Sequence, residues 1–223
     1  MSDIGFRSHA RKGLPDDFFE RDPRIVARDL LGCTVASRAE GHSTAGVIVE
    51  AEAYLGADDP GSHASTKGIT KRNAVMYGPP GDVYVYFTYG NHFMLNLVCC
   101  PVGQAGAVLI RALKPVAGLD VMTARRGGRP LGELCNGPGK LAQALGVDLS
   151  DNGTHLGTGR LHVYAGMQSR LGEVATSGRV GLTSGHDLPY RFYVEGSAFV
   201  SRGRTGPMPV RRRARSTGGG EAT

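Results

Sequence analysis

Tryptophan is absent from this 223-residue chain, and cysteine is scarce. The four cysteines are Cys33, Cys99, Cys100 and Cys135. Cys99 and Cys100 are neighbours, which on a strand point to opposite faces, so they make a poor metal pair. All four read as small buried hydrophobes in a reducing cytoplasm. A chain of this length buries roughly 70% of the surface it exposes when unfolded, so neither a disulfide nor a structural metal is needed to hold a core. No run approaches the ~20 apolar residues of a membrane span. The start, MSDIGFRSHARKGLPDD, has no apolar segment of a signal peptide.

Motifs are also missing. GPGKL lacks the GxxxxGK[ST] spacing of a phosphate-binding loop, and no GxGxxG opens a helix after a strand. There is no GxSxG elbow and no pairing of HxE with CxxC. Nucleotide hydrolysis, Rossmann redox chemistry, serine hydrolysis and zinc-dependent deamination therefore fall well down the order of readings.

The net charge of +6 points toward nucleic acid only until it is located. Residues 202–223 hold six of the 26 basic residues and one of the 20 acidic ones, leaving 20 against 19 in the rest. This Gly-, Pro- and Arg-rich tail is expected to be disordered, either a phosphate-binding arm or a solvated terminus. Residues 1–14 read as a flexible start and 15–201 as one domain.

ERDPRIVARDLLG reads as a helix, with Asp22 as N-cap and Pro23 in the first turn. GVIVEAEAYLG (46–56) alternates as a strand, with Val47, Val49, Ala51 and Ala53 on one face and Ile48, Glu50, Glu52 and Tyr54 on the other. Residues 57–80 form a long polar connection. Strands are expected at 82–89, 92–100, 105–113, 160–164, 174–182 and 190–200. Gly90-Asn91 makes a tight hairpin between the first two. Helices are expected over PVAGLDVMTARR and NGPGKLAQALG, the latter capped by Asn136. Antiparallel strands with interposed helices predict one compact α+β domain.

Two clusters carry chemistry. Glu50 and Glu52 sit about 6.7 Å apart along their strand at ~3.3 Å per residue, a spacing open to acid–base cleavage of a glycosidic bond. They read equally as solvated groups on an edge strand. Tyr54, two residues on and just before the polar loop, favours a pocket wall. DVYVYFTYGNHFMLN concentrates Tyr84, Tyr86 and Tyr89 on one strand and its turn. A tyrosine at a hairpin tip fits poorly in a core. It suits a wedge between stacked bases, and the strand suits a surface on which an extruded base stacks.

VEAEAYLGADDPGSHAS, GDVYVYFTYGNHFMLN, AVLIRALKP, LCNGPGKLAQALG and RVG occur here in the order and approximate spacing of the alkyladenine (3-methyladenine) DNA glycosylases. The chain resembles that family over roughly four-fifths of its length. The resemblance implies a curved, mostly antiparallel sheet with surrounding helices and a protruding β-hairpin. It implies a monofunctional repair hydrolase, needing no metal or cofactor, that flips an alkylated or deaminated purine from double-stranded DNA. It also implies action as a monomer in the cytoplasm, at the nucleoid when DNA is bound. By that likeness Glu52 activates the attacking water, and Arg111 and the carbonyl of Val180 help hold it. Tyr54 stacks on one side of the base, His63 and Tyr86 on the other, the sandwich favouring cationic alkylated bases. Tyr89 fills the gap in the helix, and Asn96 opposes the exocyclic amine of guanine. Lys71 and Arg72 read as phosphate contacts or solvated charges, as do Arg125, Arg126 and Arg129. The rival readings are a noncatalytic nucleic-acid-binding domain, a carbohydrate glycosidase and a scaffold. Glu52, Tyr54, His63 and Arg111 together weigh against the first. The missing tryptophan weighs against the second, and the hairpin-tip tyrosine against the third.

Overall fold

The computed structural model describes residues 12–65, 68–88, 90–166 and 172–203. Its spine is one long strand. β1 (Thr34–Ala39) turns through Glu40 and Gly41, both at positive φ, into β2 (His42–Tyr54). Two successive residues at positive φ are what a two-residue hairpin requires. β3 (Val83–Thr88), β4 (His92–Val98) and β5 (Ala107–Ala117) follow, then β6 (Leu161–Tyr164), β7 (Val174–Ser177) and β8 (Arg191–Val194). The strand order is β3-β4-β5-β2-β1-β6 in a curled sheet, with β7 attached through β8 to β2. Every strand pairing among the described residues is antiparallel.

β2 is therefore interior. β5 runs along one edge of it, while β1 covers the other edge up to Val47 and β8 covers Glu50 to Glu52. With both edges paired, the burial of a β2 side chain is decided by what packs on the two faces of the sheet, and from Thr44 to Ala53 every residue but the half-buried Val47 is buried.

The short helices are α1 (Asp16–Phe19), α2 (Pro23–Asp29), α3 (Leu119–Arg125), α4 (Leu131–Leu134) and α5 (Pro138–Leu145). α2 starts as its sequence predicts: Asp22 accepts from the Arg24 N–H, and Pro23 opens the helix. α2 and α5 pack Val26, Ala27, Leu141, Ala142 and Leu145 against the sheet residues Ile48, Leu95, Ile110 and Leu113. That contact is the main core.

Several boundaries differ from expectation. Pro115–Ala117 extend β5 rather than opening α3, and Gly118, at φ 65°, turns the chain against Ser43. The N-cap of α5 is Gly137, and the Asn136 side-chain Oδ1 instead accepts from Lys140 Nζ at 2.8 Å. β7 and β8 are shorter than read: irregular chain follows β7 and turns follow β8.

Cys33, Cys99 and Cys135 are buried, Cys100 is partly so, and all four thiols are free. Among the described residues no helix is long and apolar enough to cross a membrane.

Candidate active site

Strict alternation along β2 would set Ile48 beside Glu50 and Glu52. The structure corrects this. Ile48, Ala51 and Ala53 share the main core, while Val49 packs with Ala112 and Val194 on the opposite side. The register explains it: Ile48 pairs with Leu113, Glu50 with Ala112 and Ala51 with Ile110. Val49 is the extra residue on β2, and Arg111 is the extra residue on β5. Each bulge re-aims the side chains that follow it. Glu50, Glu52, Tyr54 and Arg111 consequently converge.

Neither glutamate is solvated; both are fully buried, which removes the edge-strand reading. Glu50 is saturated. Its Oε1 accepts from Arg111 Nε (2.9 Å), Arg191 Nε (2.7 Å) and Ser201 Oγ (2.8 Å), and its Oε2 accepts from the Ser201 N–H (2.7 Å). Burial alone would raise its pKa, but Arg111, Arg191 and the Ser201 N–H outweigh it and hold the carboxyl below the usual range.

Glu52 has a different set of partners. Its Oε1 accepts one hydrogen bond, from the backbone N–H of Val180 at 2.7 Å. Its Oε2 accepts two, from the Tyr54 hydroxyl at 3.0 Å and Arg111 Nη1 at 3.1 Å. Arg111 thus bridges both carboxylates. Burial would depress its pKa, but Glu52 and Glu50 reverse that, and it stays charged. Val180 also holds Glu52 through its backbone N–H.

In front of Tyr54 lies a recess that is partly open to solvent. His63, Tyr84, Tyr86 and Asn96 form its other polar and aromatic walls, with Met76 and Leu182 as apolar ones. Cross-strand pairing opposes Tyr84 to Asn96, which brings both to the same end of the hairpin. His63 stands edge-on to Tyr86, ring centroids 4.6 Å apart, and its Nδ1 lies 3.0 Å from the Tyr84 hydroxyl. Desolvation and the nearby Arg72 cation lower the His63 pKa, keeping the ring neutral. Burial pushes the Tyr84 phenol up to about 12. Asn96 donates both amide hydrogens to backbone carbonyls, those of Tyr84 (3.0 Å) and Met94 (3.2 Å).

The structure therefore joins Glu52, Tyr54, Arg111 and Val180 in one cluster and His63, Tyr86 and Asn96 in the adjoining recess. Tyr89 lies outside the described residues. Lys71 is exposed. Arg72 is exposed but sits 5.0 Å above the Tyr86 ring. Arg125 and Arg126 are tied into the fold by Glu40, the carbonyls of Ala39, Ala144 and Leu134, and Gln143. Arg129 faces Glu133 at 3.9 Å.

Two residues had no reading in the sequence. Arg179, inside RVG, is wholly buried and pairs with Asp59, inside LGADDPG. It also lies 4.7 Å from the Tyr54 ring. The two are 120 positions apart, and no spacing rule connects them.

Residues 17–198 match the model of the methylpurine-DNA glycosylase family. A protein of Carboxydothermus hydrogenoformans, named "Putative 3-methyladenine DNA glycosylase", is 47% identical over 85% of this chain and 98% of its own. Proteins with the same name from Koribacter versatilis and Methanoculleus marisnigri are 51% and 50% identical, over 84% and 85% of this chain and 92% and 98% of theirs. With more than two-thirds of its length matched, and the glutamate–arginine cluster beside an aromatic recess, the chain belongs to the methylpurine-DNA glycosylase family.

Proposed function

We propose that this protein excises damaged purines from duplex DNA, drawing the base out of the stack and hydrolysing its bond to the sugar. The observation that carries this is the adjacency of a buried, arginine-held carboxylate to a recess walled by flat aromatic side chains. Tyr54 belongs to both: its ring lines the recess, and its hydroxyl holds Glu52.

In this reading Glu52 is the general base. Its Oε2 is occupied by two donors, whereas Oε1 has one and keeps a lone pair for a water. The water's oxygen bonds to C1′ as its proton passes to Oε1. The C1′–N9 bond breaks and its electron pair leaves with the base. The transition state is oxocarbenium-like, and the carboxylate charge stabilises it. Arg111 orients Glu52 through its hydrogen bond to Oε2, and the Val180 carbonyl holds the water. Tyr54 stacks on the extruded base from one side, with His63 and Tyr86 on the other. Tyr89 takes the base's place in the helix, and Lys71 contacts phosphate. The product is an abasic site, with no lysine assigned to strand cleavage. Glu50, with four donors, is structural.

Duplexes carrying single hypoxanthine, ethenoadenine or 7-methylguanine residues, incubated with the protein and then treated with alkali, should break at the lesion. Glu52→Gln should keep DNA binding and lose ~10²–10⁴-fold in rate, the usual worth of a general base. Full rate in Glu52→Gln together with a dead Glu50→Gln would reverse the assignment.

A further inference from the structure

The last three described residues, 201–203, come back to the carboxylate cluster from the far end of the chain. Ser201 is buried, and its backbone N–H is spent on Glu50 Oε2 at 2.7 Å. Its hydroxyl makes two further contacts. It donates to Glu50 Oε1 at 2.8 Å and accepts from Arg111 Nη2 at 3.3 Å. Two residues on, a Cβ at Gly203 would collide with the Val180 side chain and stand 3.4 Å from Arg111 Nη2. The family match ends at residue 198, so these contacts come from beyond it.

We infer that Ser201 and Gly203 are positioning residues for the reaction, holding Glu52 through its neighbours Arg111 and Val180. This rests on the proposed function and adds residues to that same site. The Arg111 guanidinium donates from all three of its nitrogens: Nε to Glu50, Nη2 to Ser201 and Nη1 to Glu52. The group is planar and rigid, so fixing two nitrogens fixes where the third points. Without the Ser201 hydroxyl, Nη2 loses its acceptor and the plane is pinned through Nε alone. Nη1 is then free to turn away from Glu52 Oε2.

The other oxygen is braced by the same stretch. Glu52 Oε1 accepts from the Val180 N–H at 2.7 Å, and Gly203 lies against the Val180 side chain. Of the three donors to Glu52, only the Tyr54 hydroxyl is held independently of residues 201–203. A general base must meet its water within a narrow geometry, and a displacement of about 1 Å costs on the order of 10²-fold in rate. Base recognition is a separate matter, since neither Ser201 nor Gly203 lines the recess. Their loss should therefore slow the chemical step and leave the binding of damaged DNA in place.

The test is single-turnover excision at saturating protein, on whichever duplex (hypoxanthine, ethenoadenine or 7-methylguanine) wild type cleaves fastest. The Kd for that duplex and the Tm are measured alongside. Ser201→Ala should lose roughly 10–100-fold in rate and keep its Kd within about twofold, the pattern of an interaction that serves the transition state. Ser201→Thr keeps the hydroxyl and should recover most of the rate. Gly203→Ala adds one methyl at an exposed position, against Val180, and should slow excision several-fold with little change in Tm. A folded Ser201→Ala protein at the wild-type rate overturns the inference. So does a loss of rate and affinity together, or a Ser201→Thr protein no faster than Ser201→Ala. Should Ser201→Ala fail to fold, Gly203→Ala decides: slow excision at unchanged Kd supports the inference, and the wild-type rate overturns it. These outcomes leave the glycosylase reading intact, which falls only if wild type releases no base.

Discussion

Arg179 and Asp59 pair in the interior through two hydrogen bonds, Nη1 to Oδ2 at 2.6 Å and Nη2 to Oδ1 at 2.5 Å. The pair joins three stretches of chain. Arg179 also donates to the carbonyls of Ala53 (2.9 Å) and Gly185 (3.1 Å). Asp59 also accepts from the N–H groups of Leu55 (3.0 Å) and Gly61 (2.9 Å). The packing is tight enough that a Cβ at Gly61 would stand 2.6 Å from Arg179 Nη2, so only glycine fits there. The residue after Arg179 is Val180, whose N–H holds Glu52. The pair is thus the support behind both the carboxylate and the Tyr54 wall.

Breaking it should be costly. Asp59→Asn removes the charge that compensates Arg179 and leaves the guanidinium buried. Losing one partner of a buried pair costs about 3–5 kcal/mol, several times a surface ion pair. For a domain of this size that is a fall in Tm of roughly 6–20 °C. Calorimetry of the variant reads it directly, and a Tm within a degree or so of wild type (about the scatter of a neutral surface change) would show that the pair holds nothing in place.

The same pair marks where the sequence ceases to be readable. Local signals were enough for α2, whose Asp22 and Pro23 act within one turn, and for the β3–β4 hairpin, whose strands alternate on either side of Gly90-Asn91. Resemblance of short motifs located Glu52, Tyr54, His63, Tyr86 and Arg111. Alternation failed at Val49 because a bulge depends on the partner strand's spare residue, Arg111, which lies 62 positions away on β5. Glu50 was open to a solvated reading because its partners, Arg191 and Ser201, come from the far end of the chain. β1 and its pairing with β2 went unread because TVASRA mixes small and polar residues and becomes buried only once the β1–β2 hairpin has formed.

A second link, half-exposed at the surface, is sensitive to pH. His155 places Nδ1 2.9 Å from Asp82 Oδ1 and Nε2 3.2 Å from Asp16 Oδ1, tying α1 to the start of β3. Desolvation alone would lower the His155 pKa, but hydrogen bonds and charge from Asp82 and Asp16 raise it above its ordinary 6.5. A group whose folded pKa exceeds its unfolded one favours the folded state when protonated. Its contribution is full below the unfolded value and is lost as pH rises through the raised folded value. His155→Gln should therefore lose more stability against wild type at about pH 6 than at about pH 9. Urea midpoints of both proteins across that range measure the difference. A gap that stays constant or widens toward alkaline pH would exclude a protonated His155 as the link.

Selectivity against normal guanine is expected to rest on Asn96. Both of its amide hydrogens are spent on the Tyr84 and Met94 carbonyls, so the side chain cannot swing away from a base that crowds it. Hypoxanthine differs from guanine only by lacking the 2-amino group, and a fixed Asn96 facing that position would exclude guanine by contact. Removing the amide should open the space. Asn96→Ala, however, strands two carbonyls of the hairpin, at about 1–3 kcal/mol for each buried group left unpaired. Asn96→Ser is the better probe, since its hydroxyl can still donate to one of them. Excision of 7-methylguanine should then rise relative to hypoxanthine by a factor of about 5–100, the range set by one relieved contact. The walls formed by Tyr54, His63 and Tyr86 are unchanged, so hypoxanthine itself should lose little. The assay is single-turnover excision on folded variant, with circular dichroism to check the hairpin. A flat ratio in a folded Asn96→Ser protein would show that Asn96 does not gate the recess against guanine.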